Sequence, residues 1–386
     1  MYCFFANPHN HHSYFTALAL SQSYPVLLLC PPLQIQLFCR KWSKKNLRLK
    51  TPSIKEFSVQ MLALMSFILY KLSLMNESQY LSVIIESAKI ILASKNAYIF
   101  VHYQDYIRIP AEVCKHVSLD ICEIIISLGH NSSNQKTTYE AASSADIVVC
   151  PNTSMAEMFQ KSGKARVIAP YGGDKSIYRQ TSRRAAFPSS INDTEFKKSF
   201  LICARANTNR KGLDILLDSL LLLSKKLKYK STPFIDVRIC GSVAPGEDET
   251  MLKHTIKVLG KHSTISITAA QYTQNDYNSL LRASDFFVMP SRLESTSLAA
   301  LEALWHGVPC ILSKECGVDA FVDGRHGFLL DSLADTCLAE ALYEIIDKSD
   351  LACSVRKNLA KDRDLFKWNN YLNAYKNILS CSSLSD

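Results

Sequence analysis

DFFVMPSRLESTSLAALEALWHGVP, residues 285–309, changes its periodicity three times. Asp285–Met289 is apolar after its first residue and does not alternate, the pattern of a strand buried on both faces. Pro290-Ser291 ends the run, and a polar loop follows with Glu294 and Ser295-Thr296-Ser297. Ser297 to His306 has helical spacing, and Gly307 with Pro309 stops it. Val308 to Leu312 then opens a second apolar run. Strand, loop, helix and strand in this order make a βαβ unit of a parallel sheet.

Working upstream, the same alternation recurs. The pattern predicts a strand over 199–204, then a helix over 212–225 with Leu213, Leu216, Leu217 and Leu220 on one face. It predicts strands over 234–241 and 264–269, and helices over 247–259 and 275–283. The acids at the start of the 247–259 helix suit its dipole. Two more helices are expected over 351–361 and 365–379. The second half therefore reads as a Rossmann-like α/β domain whose ligand sits beyond the carboxyl ends of the strands.

The first half is similar and less clean. Candidate strands are 100–102, 124–128, 147–150 and 167–169, and 31–95 has a mostly helical pattern. Arg179 to Lys198 is polar and reads as a linker. The expected architecture is two Rossmann-like domains, 1–180 and 195–365, facing a central cleft, with a closing helix at 366–386 joined to the first.

Composition bounds the function. At about 150 residues per domain, 386 residues make two to three domains. Hydrophobic residues at 47%, charged residues at 20% and a mean hydropathy close to zero exclude disordered, collagenous and disulfide-scaffold proteins. Only 12 residues are glycine, which argues against several glycine-rich phosphate loops. The net charge of +9 suits an anionic ligand or membrane surface and is too mild for a dedicated nucleic-acid binder. The 13 cysteines are scattered with no CxxC pair, which reads as free thiols in a reducing, cytoplasmic setting. The first residues lack the basic segment of a secretory signal. Met61–Tyr70, bounded by Gln60 and Lys71, is too short for a span of about 20 residues. It reads as a buried helix or an interfacial one. Arg40-Lys41, Lys44-Lys45, Arg48 and Lys50 before it motivate an expected peripheral contact with the inner membrane surface.

Two loops carry chemistry. The N-terminus of the helix after Glu294 offers backbone N–H groups and a positive dipole end to a phosphate. Glu302, in the second turn, is placed to accept two hydroxyl hydrogen bonds from a ribose. Taken alone, two acids eight positions apart also fit a solvated loop acid and a helix-face acid. In the other loop a strand leads into Arg205, Arg210 and Lys211 at the start of a helix. Fixed cations there would stabilise charge developing on a leaving diphosphate; taken alone, they also fit solvated surface charge. His102 and His130 end apolar strands, with Gln104 close by. His9-Asn-His11-His12 has no matching acids, and Asp362-Arg-Asp364 reads as surface, so neither metal nor cofactor is expected.

With these residues in place the chain resembles the retaining glycosyltransferases of family 4, which have the GT-B fold. The resemblance rests on Glu294, seven residues, Glu302 and then Ala303-Leu-Trp-His-Gly307-Val-Pro309, the family's E-x7-E followed by A-x-x-x-G-x-P. It implies that Glu302 holds the donor ribose and Glu294 lies near the donor sugar and phosphate. Ser295-Thr296-Ser297 stands where the family has Gly-Phe-Gly, and with Leu298 it is expected to offer backbone donors. Arg205 and Lys211 would contact the diphosphate, with Arg210 an extra surface cation. Gly317 opens a segment similar to the family's sugar-contacting loop, although Val318, Asp319 and Ala320 replace its usual second glycine and glutamate. Tyr272 is counted with the donor-binding residues, and His102, His130 or Gln104 with those facing the sugar. The segments 145–151 and 167–174 resemble the family's end of the first domain, and Trp368 fits its crossing helix. Asn7 to Ser13, after the first strand, lacks the family's glycine-rich turn. The implied donor is a nucleotide-diphosphate sugar. The implied acceptor is a hydroxyl of a glycan or glycolipid, in polysaccharide or glycolipid synthesis, without metal. A decayed nucleotide- or lipid-binding protein and a sugar-nucleotide epimerase are the alternatives.

Overall fold

The computed structural model describes residues 2–5, 26–29, 98–103, 124–128, 147–158, 165–174, 197–203, 208–227, 234–241, 246–260, 265–294, 296–348 and 350–382, with Leu74. The chain divides into two compact units, Met1–Ala169 with Leu372–Asp386, and Pro170–Tyr371.

The first unit holds strands β1 (Tyr2–Phe5), β2 (Val26–Leu29), β3 (Tyr98–Tyr103), β4 (Ile124–Leu128), β5 (Ile147–Cys150) and β6 (Ala165–Ile168). All pair in parallel, in the order β2-β1-β3-β4-β5-β6. Strands that carry no polar alternation need cover on both faces, and Val148, Val149 and Cys150 of β5 are accordingly buried. Helix α1 (Thr153–Met158) starts directly after β5, where the Asn152 side chain accepts from the Met155 N–H at 2.9 Å.

The second unit begins with β7 (Lys197–Cys203), α2 (Thr208–Lys211), α3 (Leu213–Leu227), β8 (Phe234–Cys240), α4 (Glu247–Leu259), β9 (Ile265–Ala270) and α5 (Gln274–Ala283). It continues with β10 (Phe286–Met289), α6 (Leu298–Trp305), β11 (Cys310–Ser313), β12 (Gly327–Leu330), α7 (Asp335–Asp347), α8 (Leu351–Asp362) and α9 (Trp368–Ser382). From Leu372 onward α9 clusters with the first unit. The sheet order is β12-β11-β10-β7-β8-β9, every pair parallel. The chain moves outward from β7 to β9, then returns to β10 on the other side of β7. Connections therefore leave β7 and β10 in opposite directions, and the crevice at their carboxyl ends is where such sheets bind ligands.

The core is built by the apolar face predicted for α3. Leu216, Leu217, Leu220 and Leu223 pack with Ile235, Val237 and Ile239 of β8 and with Phe286 and Val288 of β10. Each fully buried side chain of this kind contributes about 1.5–3 kcal/mol.

The 285–309 stretch folds as its pattern predicts. Strand β10 is buried at all four positions. Ser297 and His306, expected as the ends of the helix, are its caps, with Ser297 Oγ accepting from the Ala300 N–H at 3.3 Å. Strand β12 and helix α7 are additions to the sequence reading. Gly327 sits at φ 140°, and a Cβ there would lie 1.9 Å from the Cys310 carbonyl oxygen. That close pairing, rather than side-chain pattern, makes β12.

The unit boundary falls before residue 180. Gly173 N–H donates to the Phe366 carbonyl at 2.8 Å, and Asp174 Oδ1 accepts from the Trp368 N–H at 2.5 Å. Tyr171, Trp368 and Tyr371 form a ring cluster with centroids 5.3–5.5 Å apart. These contacts tie 170–174 to the start of α9 within the second unit. Strand β7 begins at Lys197, inside the expected linker, whose residues 179–196 lie outside the described residues. The apolar run at 61–70, the basic residues before it and the Asn7–Ser13 turn also lie outside them. Among the described residues no helix is long and apolar enough to cross a membrane.

Candidate functional site

Strands β7, β10 and β11 are neighbours, and the loops leaving their carboxyl ends meet. After β7, the short α2 presents Arg210 and Lys211. Gly212 then turns the chain into α3 with φ 70°, and a Cβ there would stand 2.0 Å from the Pro290 carbonyl oxygen. Only glycine fits a positive φ and so close an approach.

Lys211 Nζ forms an ion pair with Glu294 Oε1, and Arg210 Nη2 reaches Glu294 Oε2 at 3.4 Å. The Glu294 side chain is only 5% exposed. A carboxylate removed from water needs compensation, and these two cations supply it. Arg210, expected as an extra surface cation, is part-exposed but tied down: its Nε also donates to the Leu293 carbonyl at 2.8 Å.

The loop after β10 lies on the segment after β11. Glu294 N–H donates to the Glu315 carbonyl at 3.1 Å, and Ser297 N–H to the Cys316 carbonyl at 2.8 Å. Beneath them Ser313 Oγ donates to the Ser291 carbonyl at 2.6 Å, and Cys316 Sγ donates to the Met289 carbonyl at 3.2 Å. Burial, aided by the Glu294 charge, pushes the Cys316 thiol up to about 11, so it stays a protonated donor. Gly317 follows in the left-handed conformation, φ 62°, ψ 40°.

Helix α6 carries Glu302, which is partly buried, in its second turn. Thr296 and Ser297 are buried and Leu298 is partly buried. Ser297 uses its N–H for Cys316 and its Oγ for the cap, so its role in this structure is to fix α6. Gly173 packs against this helix: a Cβ on it would be 1.9 Å from the Leu301 carbonyl oxygen and 2.8 Å from the Glu302 nitrogen. Tyr272 follows the edge strand β9 and is partly buried; β8 separates that strand from β7.

Three contacts escaped the sequence reading. Arg292 grips Asp214 with both guanidinium nitrogens, Nη1 to Oδ1 at 2.8 Å. Burial pulls the Asp214 carboxyl upward, but the Arg292 hydrogen bond and charge prevail and leave it below its ordinary value. Gly173 against α6 is the second. The third joins the loop after Gly317 to α8. The buried His326 accepts from the Val322 N–H on Nδ1 at 3.0 Å and faces Asp362 Oδ2 through Nε2 at 2.8 Å. Arg325 also holds Asp362, Nη2 to Oδ1 at 2.9 Å. Hydrogen bonds from Arg325 and His326 keep the Asp362 carboxyl well below the usual range. Asp362, read as surface, is thus a tether, while Asp364 pairs with Lys367. In none of the three does one partner's sequence neighbourhood point to the other.

Among the described residues no group of His, Cys, Asp and Glu is arranged to hold a metal ion. Arg205, Ser295, His130 and Gln104 lie outside the described residues. His102 lies on β3 in the first unit, in register with Ser127 of β4.

Comparison with known proteins fits this geometry. Residues 184–362 match the sequence model of the family described as glycosyl transferases group 1. The lipopolysaccharide glucosyltransferase of Escherichia coli K12 is 21% identical over 61% of this chain. That alignment spans 63% of the E. coli protein, less than two thirds of its length. Among solved structures, sucrose-phosphate synthase of Thermosynechococcus elongatus superposes with a TM-score of 0.66 at 13% identity, over 100% of this chain and 99% of that one. Anabaena HepE in complex with UDP gives 0.66 at 15% identity, over 98% and 99%. The fold is therefore α/β of the GT-B type, built from two Rossmann-like units, and the site-bearing segment is similar to the group 1 glycosyl transferases.

Proposed function

We propose that the chain is a glycosyltransferase that moves a sugar from a nucleotide-diphosphate sugar to a hydroxyl of a glycan or glycolipid, retaining the anomeric configuration. The observation that carries this reading is the Lys211–Glu294 pair at the carboxyl ends of β7 and β10, one loop before α6 and Glu302. Lys211, with Arg205, faces the departing diphosphate. Glu302 accepts from the ribose hydroxyls. Backbone N–H groups at Ser295, Thr296 and Leu298, and those following Gly317, donate to phosphate and sugar oxygens; the Gly317 N–H itself is held by the Lys314 carbonyl. Tyr272 is kept as a donor contact, and His102 or His130 as sugar contacts, on the resemblance alone.

In the proposed step the bond from the anomeric carbon to the diphosphate breaks, and its electron pair stays on the phosphate oxygen. The acceptor oxygen bonds to the same face of that carbon, and its proton passes to the departing phosphate. Fixed cations stabilise the charge that develops there. The proposed donor needs neither metal nor cofactor. A peripheral contact with an anionic membrane surface from the cytoplasmic side is proposed from the basic residues at 40–50 alone.

The test is release of nucleoside diphosphate from UDP-, GDP- and ADP-sugars in the presence of a lipid-linked or glycan acceptor. Lys211→Ala should lower turnover about a hundredfold, the usual cost of one charge-stabilising donor. Full turnover in that variant would overturn the site. UDP binding without turnover on any acceptor would leave a nucleotide-binding protein instead.

A further inference from the structure

The segments 210–214 and 290–294 are fastened together along their whole length. Arg292 N–H donates to the Arg210 carbonyl at 2.8 Å. Arg210 Nε donates to the Leu293 carbonyl. The Gly212 backbone lies against Pro290. At one end of this seam stands the Lys211–Glu294 pair, and at the other the two-pronged Arg292–Asp214 pair. Asp214 is in the first turn of α3, three residues beyond Lys211, and Arg292 is two residues before Glu294.

The Arg292 and Asp214 side chains are 35% and 30% exposed. A pair this wet contributes little to overall stability, while a planar guanidinium fork on a carboxylate fixes direction. Asp214 also has Asp218 one turn along α3, whose carboxyl burial and the charges of Asp335 and Asp214 raise. Without Arg292, the Asp214 charge would be left one turn from Asp218 with no cation against it, which weakens the first turn of α3.

We propose that Arg292 and Asp214 are positioning residues: their clamp sets the α2–α3 turn so that Lys211 is held against Glu294, where an incoming diphosphate meets it. The role of Lys211 rests on the function proposed above; the clamp itself can be tested without any ligand.

In the full-length chain, lysines are pulse-acetylated with acetic anhydride, and Lys211 is compared by mass spectrometry with the exposed Lys253. Arg292→Ala and Asp214→Asn should each speed acetylation of Lys211 severalfold with little change in melting temperature. The double variant should add nothing further, because both remove the same contact. An unchanged Lys211 rate in either single variant, or additive effects, overturns the clamp. Asp214→Asn keeps the side-chain shape, so the result does not hang on whether Arg292→Ala folds. UDP is the second probe. Both single variants should weaken UDP binding about tenfold, since small misplacements of a binding group are costly, and leave uridine binding alone. If the wild-type chain binds no UDP, the proposed function fails, while the acetylation result still decides the clamp.

Discussion

Gly212 shows how much one residue decides. Lys211 can face Glu294 while α3 continues into the core only because residue 212 adopts φ 70° with its α-carbon against Pro290. Gly212→Ala forces a Cβ to within 2.0 Å of a backbone oxygen. The expected loss is about 1–3 kcal/mol, the usual cost of a non-glycine residue held in such a conformation plus displacement of the neighbour. Urea unfolding measures it, and a midpoint equal to wild type would show that the turn relaxes freely. At this scale the resemblance, not spacing alone, singles out residues: Glu294, Glu302 and Lys211 match a family's E-x7-E pattern and Lys-Gly pair, and the structure brings Lys211 against Glu294. Arg292 and Asp214 do not stand out, because they are 78 positions apart and neither sits in a pattern that points at the other. The tie of Arg210 to Glu294 was missed for the same reason: that partner arrives from a distant loop.

The elements tell a similar story. Apolar runs marked β7, β8, β9, β10 and β11 to within two residues at each end, and leucine spacing marked α3. Strand β12 was illegible because it depends on Gly327 pairing closely with Cys310, a tertiary event. The loop leading into β12 is tethered to α8 by Asp362, and the α2–α3 turn is held by Asp214. Both carboxyls titrate below their ordinary value. A folded-state pKa below the unfolded one, about 3.9 for Asp, contributes stability that is complete above that value and lost as pH falls through the folded one. These two elements should therefore hold at neutral pH and loosen below about pH 4. In acid titrations followed by urea unfolding, Asp362→Asn should be less stable at pH 7 and lose less on acidification than wild type, while Asp214→Asn, at the more exposed of the two carboxylates, should loosen its turn with little effect on global stability. An acid slope equal to wild type in Asp362→Asn would show that this carboxyl does not hold its loop.

At the scale of the whole molecule, parallel sheets follow from period, since apolar strands without alternation must be covered on both faces. The ligand end of the second sheet follows from its strand order, which reverses between β7 and β10. The first unit reads less well: a first strand is expected before Asn7, but the apolar stretch that forms β2 is not assigned. The central claim is that the crevice at β7, β10 and α6 takes a nucleoside diphosphate. Thermal melting against UDP, GDP, ADP and CMP addresses it most directly, because a ligand that binds only the folded chain at 100 times its dissociation constant adds about 2.7 kcal/mol. One diphosphate is predicted to raise the melting temperature of the wild-type chain and to leave that of Glu302→Ala unmoved. A wild-type chain that no nucleotide stabilises, or a shift that Glu302→Ala keeps in full, would contradict the account.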